Sequence, residues 1–245
     1  MELYYMDIRE LPDDGLALWK PIIGSERFAQ LERMKAVADQ KRGLAGELLL
    51  RAAYQRMRYQ NVPCQKVCAV DSIPRARAVV MDSFGKCEDI EITADLPQRV
   101  YTEKGKPYFA NNGLPDFNIS HSGDYAVCAF SENGGAVGVD IQQIRPLTEA
   151  FALRFFSEKE QQYLKQQCKE YEEEHTGRII AEIFSKKESL GKYRGIGLSA
   201  EAAELDTVTC EEYIRRIELP EAPEYILTCC TRDACQVDLL KVKLI

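Results

Sequence analysis

The sequence contains only two histidines and one tryptophan among 245 residues, and its formal net charge is −7. General nucleic-acid binders usually carry a net basic face, so we expect no nucleic-acid partner. No apolar run approaches the ~20 residues of a membrane helix, and the first residues include an acid but no apolar signal segment. These absences predict a cytoplasmic protein without a membrane partner.

The nine cysteines do not form the paired CxxC pattern of a zinc site or a disulfide framework. With His121 and His175 as the only histidines, the usual zinc ligand patterns are missing as well. Cysteines in apolar runs, such as Cys128, Cys229 and Cys230, behave as small hydrophobic residues. We therefore expect reduced structural thiols, as is usual in the cytosol.

The first half of the chain alternates strand and helix patterns. Residues 2–8 favour a strand, and apolar residues at helical spacing predict a helix over 26–38, capped by Ser25, and a second helix over 39–58. Residues 60–104 predict strands and an irregular excursion. With 45% hydrophobic residues, the chain can bury a sizeable core as one large domain or two lobes.

Two apolar runs, 125–130 and 136–141, predict a hairpin across an Asn-Gly-Gly turn. Further on, Ser157 and Glu160 form a capping box at the start of a helix. A polar loop over 170–177 and a helix over 178–193 follow, and two strands close the chain. This succession predicts an α+β protein of two related lobes, residues 1–135 and 136–245.

Asp140 stands at the end of an apolar strand, where a carboxylate costs free energy unless a charged or hydrogen-bonding group meets it. On its own, such an aspartate is more often a turn cap. The alternative is a ligand for a hard cation such as Mg²⁺. This ion binds few carboxylates and completes its shell with water and phosphate oxygens.

Glu188 and Lys192 are four residues apart, so they share one face of the predicted helix. Most such pairs are solvated ion pairs at the surface. Here Phe184 lies one turn earlier on the same stripe. An inward-facing Phe184 would hold Glu188 at the edge of the core.

Residues 120–123, Ser-His-Ser-Gly, form a small polar turn beside apolar strand segments. Hydroxyls, an imidazole and free backbone N–H groups are what an anion site needs. A Ser-His pair is also found in nucleophilic catalysis, but adjacent residues seldom point at each other. Lys41, Arg42 and Lys106 could add positive charge to a phosphate pocket, although each alone is more often a surface residue.

Four motifs in this order resemble the surfactin-type class of 4′-phosphopantetheinyl transferases. They are NISHSG, GVDIQ, RFFSEKE and FSKKESLGK. The resemblance covers residues 105–200, extends more weakly over 1–60, and is negligible over 61–100 and 201–245. Four ordered motifs are far more specific than any one of them.

This resemblance implies a two-lobed α+β pseudo-dimer that is active as a monomer, with the active site in the cleft between its lobes. The implied reaction transfers phosphopantetheine from coenzyme A to a serine of an acyl, peptidyl or aryl carrier protein and releases 3′,5′-ADP. The N-terminal lobe would bind the phosphates and adenine of coenzyme A, and the C-terminal lobe would carry the metal site and the catalytic helix.

Particular roles follow from motif positions. Asp140 and Glu188 would hold Mg²⁺, Glu188 would accept the proton of the carrier serine, and Lys192 would stabilise the departing phosphate. The remaining family positions would bind coenzyme A: Ser120, His121, Ser122, Lys106, Pro107, Lys41, Arg42 and, in a looser alignment, Arg27.

The chain departs from the family pattern at two positions. Gln142 stands where many bacterial members have a second acid, so that Gln142 or a water would fill that metal position. Phe184 replaces the usual tryptophan. The two alternatives are a metal-dependent phosphodiesterase and a non-catalytic carrier-binding module. A basic surface for an acidic carrier could come from Arg154, Lys159, Lys165 and Lys169, although a solvated helix face is the more common case.

Overall fold

A computed structural model describes residues 1–13, 15–61, 74–131, 134–145, 149–168, 173–196 and 204–245. The strands are β1 (Glu2–Asp7), β2 (Arg75–Asp82), β3 (Cys87–Thr93), β4 (Arg99–Tyr101), β5 (Pro107–Phe109), β6 (Asp116–Ser122), β7 (Tyr125–Ser131), β8 (Gly138–Gln143), β9 (Tyr213–Ile217), β10 (Tyr225–Thr231) and β11 (Asp238–Leu244). The helices are α1 (Leu16–Ile23), α2 (Ser25–Glu32), α3 (Val37–Asn61), α4 (Glu149–Phe155), α5 (Glu158–Cys168) and α6 (Glu173–Arg194), with a 3₁₀ turn at Ile8–Glu10.

The larger sheet has six strands in the order β3-β2-β11-β1-β7-β6. Neighbouring strands are antiparallel except for β1 and β11, which are parallel. The long helix α3 packs on this sheet. Its residues Leu48 and Leu49 share one core with Phe117 and Phe130 of the sheet. Burial of this apolar face is what fixes α3 against the strands.

The smaller sheet has three strands in the order β8-β10-β9, all antiparallel. Helix α6 packs across β8 and β10. Gly138 of β8 has no room for a side chain, because a Cβ there would overlap the backbone of Ser189. This close approach brings the middle of β8 directly against α6, where the candidate site lies.

The two sheets contain matching three-stranded units. In the larger sheet β1 pairs with β7 and β7 with β6, and in the smaller sheet β8 pairs with β10 and β10 with β9. The amide of Ile8 donates to the carbonyl of Asp124 at 2.8 Å, and that of Ile144 donates to the carbonyl of Glu224 at 2.8 Å. The α+β fold with two related halves is therefore visible in the strand pairing.

The predicted hairpin between residues 125–130 and 136–141 is wrong. Strand β7 pairs with β1 and β6, whereas β8 belongs to the smaller sheet. The tight hairpin instead joins β6 and β7 around Gly123. An Asn-Gly-Gly signal is local, and the burial of residues 138–141 placed β8 against α6 and β10 instead.

Several helix boundaries also differ from the sequence predictions. Gly24, not Ser25, occupies the N-cap of α2, and this helix ends at Glu32 rather than 38. Helix α1 was not predicted because it contains Pro21. Helix α6 begins at Glu173, inside the predicted polar loop, and ends before Gly195, which has a φ of 68°.

The final strand bears on the predicted division of the chain at residue 135. Strand β11 lies between β1 and β2 in the larger sheet, so the end of the chain returns to the sheet of the N-terminal half. The division itself stays a prediction. No helix in the described ranges is both long and apolar enough to span a membrane.

Candidate active site

Asp140 is the centre of the candidate site. It lies in the middle of β8 with only 1% of its surface exposed. Its carboxylate accepts from Lys192 Nζ at 2.7 Å, Ser120 Oγ at 3.0 Å and Gln142 Nε2 at 3.1 Å. A buried carboxylate with this set of donors is well satisfied, and it is not a simple turn cap.

Glu188 faces Asp140 from helix α6. Burial and the negative charge of Asp140 raise the pKa of Glu188 to about 7, against an opposing effect of Lys192. Within the described part of the chain, no hydrogen bond or ion pair reaches its carboxylate. A half-buried acid beside a second acid is a group that can gain or lose a proton near neutral pH or receive a cation.

Lys192 connects three parts of the fold. Its Nζ donates to Asp140 Oδ1 at 2.7 Å, to Ser120 Oγ at 2.8 Å and to the carbonyl oxygen of Val139 at 3.1 Å. The i, i+4 spacing from Glu188 therefore does not produce a solvated surface pair. Lys192 turns inward and neutralises Asp140.

The donor set suits a hard divalent cation. Asp140 and Glu188 present two carboxylates of like charge, and Gln142 adds an amide beside Asp140. The Gln142 nitrogen faces Asp140, so its oxygen would have to turn toward a metal to ligate it. Among the residues that the structure describes, no group of three His, Cys, Asp or Glu side chains gathers to hold a metal. Two carboxylates suffice for Mg²⁺ when waters and phosphates complete its shell.

A buried ion pair that sequence reasoning did not foresee lies behind Glu188. Lys187 is 3% exposed and its Nζ donates to Glu160 Oε2 at 2.7 Å and also to the carbonyl of Leu205. Glu160 completes the predicted capping box with Ser157 and accepts two further bonds from Thr207. The capping box gave the only sequence signal for this network. The hydrogen bonds of Lys187 and Glu160 connect α5, α6 and the segment around residue 205.

Strands β6 and β8 belong to different sheets, and side chains of β6, instead of its backbone, hydrogen-bond to the backbone of β8. Backbone amides of β8 and the residue before it donate to alternate β6 side chains: Val137 N to Asp116 (3.0 Å), Val139 N to Asn118 (3.0 Å), Ile141 N to Ser120 (3.3 Å) and Gln143 N to Ser122 (3.0 Å). The predicted phosphate ligands Ser120 and Ser122 therefore have a structural task. Ser120 also donates to Asp140, so it belongs to the Asp140 end of the site.

His121 is an exposed residue near the end of β6. The prediction of a turn over 120–123 is therefore wrong for Ser120–Ser122, which pair with β7, and the turn lies at Gly123 and Asp124. Partial desolvation of the imidazole and the positive charges of Arg42 and Lys192 lower the pKa of His121. Arg42 donates to the carbonyl of Gly123 at 2.8 Å and pairs with Asp39. These groups form a positive surface beside the turn, which is suited to an anion.

Two other predicted basic residues have acidic partners in the structure. Lys41 pairs with Asp13 at 2.6 Å. Arg27 Nε lies 2.8 Å from Oε1 of the buried Glu47, which also holds Arg99 through two hydrogen bonds. The structure therefore places Arg42 beside the turn, whereas Lys41 and Arg27 form ion pairs with acidic residues elsewhere.

A cleft of about 210 Å³ lies where the β4–β5 hairpin, β6 and the end of α6 meet. Its lining includes Lys104, Gly105, Lys106, Pro107, Asn118, Ile119, Lys192 and Gly195. Lys106 donates to Asp116 at 2.9 Å and to the carbonyl of Val137 at 3.3 Å. The cleft thus combines three lysines with an apolar wall. Lys106 and Pro107, which were predicted to bind coenzyme A, line the same cleft as Lys192.

The predicted basic surface is only partly assembled. Arg154 is exposed and its guanidinium lies over the Phe155 ring, while Lys165 is exposed on α5. Lys159 pairs with Asp206 at 3.4 Å, and Lys169 lies outside the described residues. Phe184 packs against Phe151 and Phe155, as expected for an inward-facing aromatic. A carrier surface on α4 and α5 stays a prediction.

Comparisons with known proteins identify the family that this chain resembles. The model of the 4′-phosphopantetheinyl transferase superfamily matches residues 136–233, which include Asp140, Glu188 and Lys192. The chain is 25% identical to 4′-phosphopantetheinyl transferase psf-1 of Bacillus pumilus over 258 residues (99% of this chain, 94% of the relative). It is 29% identical to 4′-phosphopantetheinyl transferase Sfp of Bacillus subtilis over 234 residues (93% and 86%), and 35% identical to 4′-phosphopantetheinyl transferase AcpT of Salmonella typhimurium over 107 residues (41% and 50%). Residues 136–233 match the 4′-phosphopantetheinyl transferase superfamily, and the relatives that span most of the chain support an Sfp-like class.

Proposed function

We propose that this protein transfers 4′-phosphopantetheine from coenzyme A to a serine of a carrier protein and releases 3′,5′-ADP. The observation that carries the proposal is the grouping of Asp140, Glu188 and Lys192 beside a lysine-lined cleft, within the region that matches the family. Phosphoryl transfer needs positioning and charge stabilisation more than covalent chemistry. This grouping offers both.

Asp140 and Glu188 would hold a divalent cation, for which we propose Mg²⁺, with Gln142 or a water at a third position. When bound, the cation would neutralise charge on the pyrophosphate oxygens as the bond breaks. The carboxylates of Asp140 and Glu188 are both largely shielded from water and repel each other. A bound cation would reduce this repulsion.

Glu188 is also the candidate general base. Its pKa of about 7 leaves a substantial fraction ionised at neutral pH and keeps the carboxylate basic enough to accept the serine proton, directly or through a water. The deprotonated serine oxygen would then attack the β-phosphate of coenzyme A. Lys192 would stabilise the negative charge on the departing phosphate.

Coenzyme A would occupy the lysine-lined cleft. Lys106 and Pro107 would contact the adenine and its phosphates, and His121 and Arg42 would face a phosphate from the polar turn. Ser120 and Ser122 would contribute mainly by holding β6 against β8. Lys41 would act at longer range, because it is paired with Asp13.

The partner would be an acyl, peptidyl or aryl carrier protein, and we propose a cytoplasmic monomer. The two matching sheets support the monomer, because a pseudo-dimer contains within one chain the two halves that would otherwise come from two subunits. An acidic carrier would approach the side of the cleft that carries Glu188.

The test is intact-mass spectrometry of small apo-acyl and apo-peptidyl carrier proteins incubated with this protein, coenzyme A and Mg²⁺. We expect a gain of one phosphopantetheine, which EDTA abolishes. Glu188→Gln should slow transfer by about 10²–10⁴-fold, the usual contribution of a general base. Glu182→Gln is the matched control, since Glu182 lies on the same helix but pairs with Lys186 and Arg216.

Two other results would replace the proposal. Consumption of coenzyme A without any carrier would identify a metal-dependent phosphodiesterase. Carrier binding with no transfer and no effect of Glu188→Gln would identify a non-catalytic carrier-binding module. The satisfied contacts of Asp140 and Lys192 favour the transferase over a decayed site.

A further inference from the structure

Both halves of the molecule hold the turn at Gly123 and Asp124, which joins β6 to β7. From the side of α3, Arg42 donates to the carbonyl of Gly123 at 2.8 Å. From the smaller sheet, the hydroxyl of Tyr225 accepts a hydrogen bond from the backbone amide of Asp124 at 2.9 Å. Tyr225 is only 4% exposed, so its position is fixed by the hydrophobic core that the two sheets share.

The contact between Tyr225 and the turn is closely fitted. Gly123 has a φ of 53°, which disfavours any residue with a side chain. A Cβ placed there would overlap the Tyr225 hydroxyl and lie 3.0 Å from Gln143 Oε1. The phenol therefore fills the space that a side chain at this position would need, and the turn cannot shift toward β10.

His121 depends on this turn for its position. It lies two residues before Gly123 and pairs with Ala126 across the hairpin. Arg42 and Lys192 are both close enough to lower the pKa of His121, so the imidazole shares its surroundings with two positive charges. A displacement of the turn would move the imidazole and the carbonyl that anchors Arg42 together, and even a small shift of a positioned binding group weakens binding.

We propose that Tyr225 is a positioning residue for the anion-binding turn: its hydroxyl fixes Gly123 and Asp124 so that His121 and Arg42 face one phosphate of coenzyme A. This inference rests on the proposed function for the identity of the ligand. It adds a residue outside the four sequence motifs, contributed by the opposite sheet. Tyr225 itself contacts no substrate.

The test compares Tyr225→Phe with Tyr125→Phe. Tyr125 is the counterpart on β7: it is 3% exposed and packs edge-on against the Tyr225 ring at 5.0 Å. Within the described residues, its hydroxyl makes no hydrogen bond to the turn. The two variants therefore remove the same atom from equally buried rings, and only one of these atoms contacts the turn.

The readout is the Kd of 3′,5′-ADP by isothermal titration calorimetry, because this compound needs no turnover. Tyr225→Phe should raise the Kd by about fivefold to tenfold, the value of one hydrogen bond, and Tyr125→Phe should leave it unchanged. In the transfer assay, the KM for coenzyme A should rise while kcat at saturating coenzyme A and the KM for the carrier stay as in the wild type.

Gly123→Ala perturbs the same contact from the other side and should raise the Kd at least as much. If either variant binds 3′,5′-ADP as the wild type does, or if Tyr125→Phe weakens binding equally, the proposal is overturned. The same holds if the wild type does not bind the compound. Wild-type binding without transfer to any carrier would instead count against the proposed function alone.

Discussion

The buried ion pair between Lys187 and Glu160 allows a quantitative prediction about stability. Both side chains are almost fully buried, and Glu160 also accepts from Ser157 N, Thr207 N and Thr207 Oγ1. In Glu160→Gln, the ammonium of Lys187 stays buried but loses its counter-ion. Removing one partner of a buried pair costs about 3–5 kcal/mol.

For a chain of this size, each kcal/mol shifts the Tm by about 2–4 °C, so we expect Glu160→Gln to melt about 6–20 °C below the wild type. The assay is thermal unfolding followed by circular dichroism, with urea unfolding to obtain the free energy of unfolding. Glu182→Gln is the control, since its pairs with Lys186 and Arg216 stay partly exposed to water, and exposed pairs contribute at most about 1 kcal/mol.

A double variant separates charge from packing. Glu160→Gln combined with Lys187→Met removes both buried charges, so it should recover much of the lost stability. A loss below about 1 kcal/mol in Glu160→Gln alone would refute the reasoning. It would mean that water reaches Lys187 or that the Leu205 carbonyl alone satisfies it.

Three further predictions concern Asp140 and Glu188, the two carboxylates of the candidate site. The folded-state pKa of Glu188 is raised to about 7, so keeping this carboxylate ionised in the folded protein costs stability at pH 8. In the absence of metal, Glu188→Gln should therefore have a higher Tm than the wild type at pH 8. The difference should vanish below about pH 4.5, where the carboxyl is protonated in the unfolded chain as well. Equal Tm values at pH 8 would contradict the raised pKa. Gln142→Glu adds a charge beside Asp140 and should tighten Mg²⁺ binding roughly tenfold by calorimetry; no tightening would place Gln142 outside the metal shell. Lys192→Met removes the cation from Asp140 and should tighten Mg²⁺ binding while slowing transfer, whereas weaker Mg²⁺ binding would show that Lys192 does not compete for Asp140.

The sequence predicted the structure best where a motif lies within a single helix or strand. The order GVDI, then FSKKESLGK, predicted that Asp140 and Glu188 belong to one site, and the structure brings them together on β8 and α6. The capping box of Ser157 and Glu160 was likewise confirmed, because both partners lie within one helical turn. The capping box is a local relation and depends on spacing alone, whereas the pairing of Asp140 with Glu188 was predicted through the order of the family motifs.

The sequence failed where long-range contacts decided the result. The Asn-Gly-Gly turn predicted a hairpin, but β8 pairs with β10 about 90 residues further on. The second role of Glu160 depends on Lys187, and that of Ser120 depends on Asp140 and Ile141. Sequence periodicity does not predict such partners, because the packing of α5 on α6 fixes the first and the contact between the two sheets fixes the second.

The contacts of Lys192 explain why the candidate site lies at this junction. Among the described strands, none pairs with β8 through the backbone on its β6 side. Side chains of β6 therefore satisfy its amides and leave the carbonyl of Val139 and the carboxylate of Asp140 open to a cation from α6. Without a bound metal, Lys192 supplies that positive charge. A divalent ion at Asp140 would compete with Lys192 for the same carboxylate and leave its ammonium available to a phosphate. We therefore propose that the two positive groups are alternatives at Asp140, so that metal binding would control the availability of Lys192 in the lysine-lined cleft.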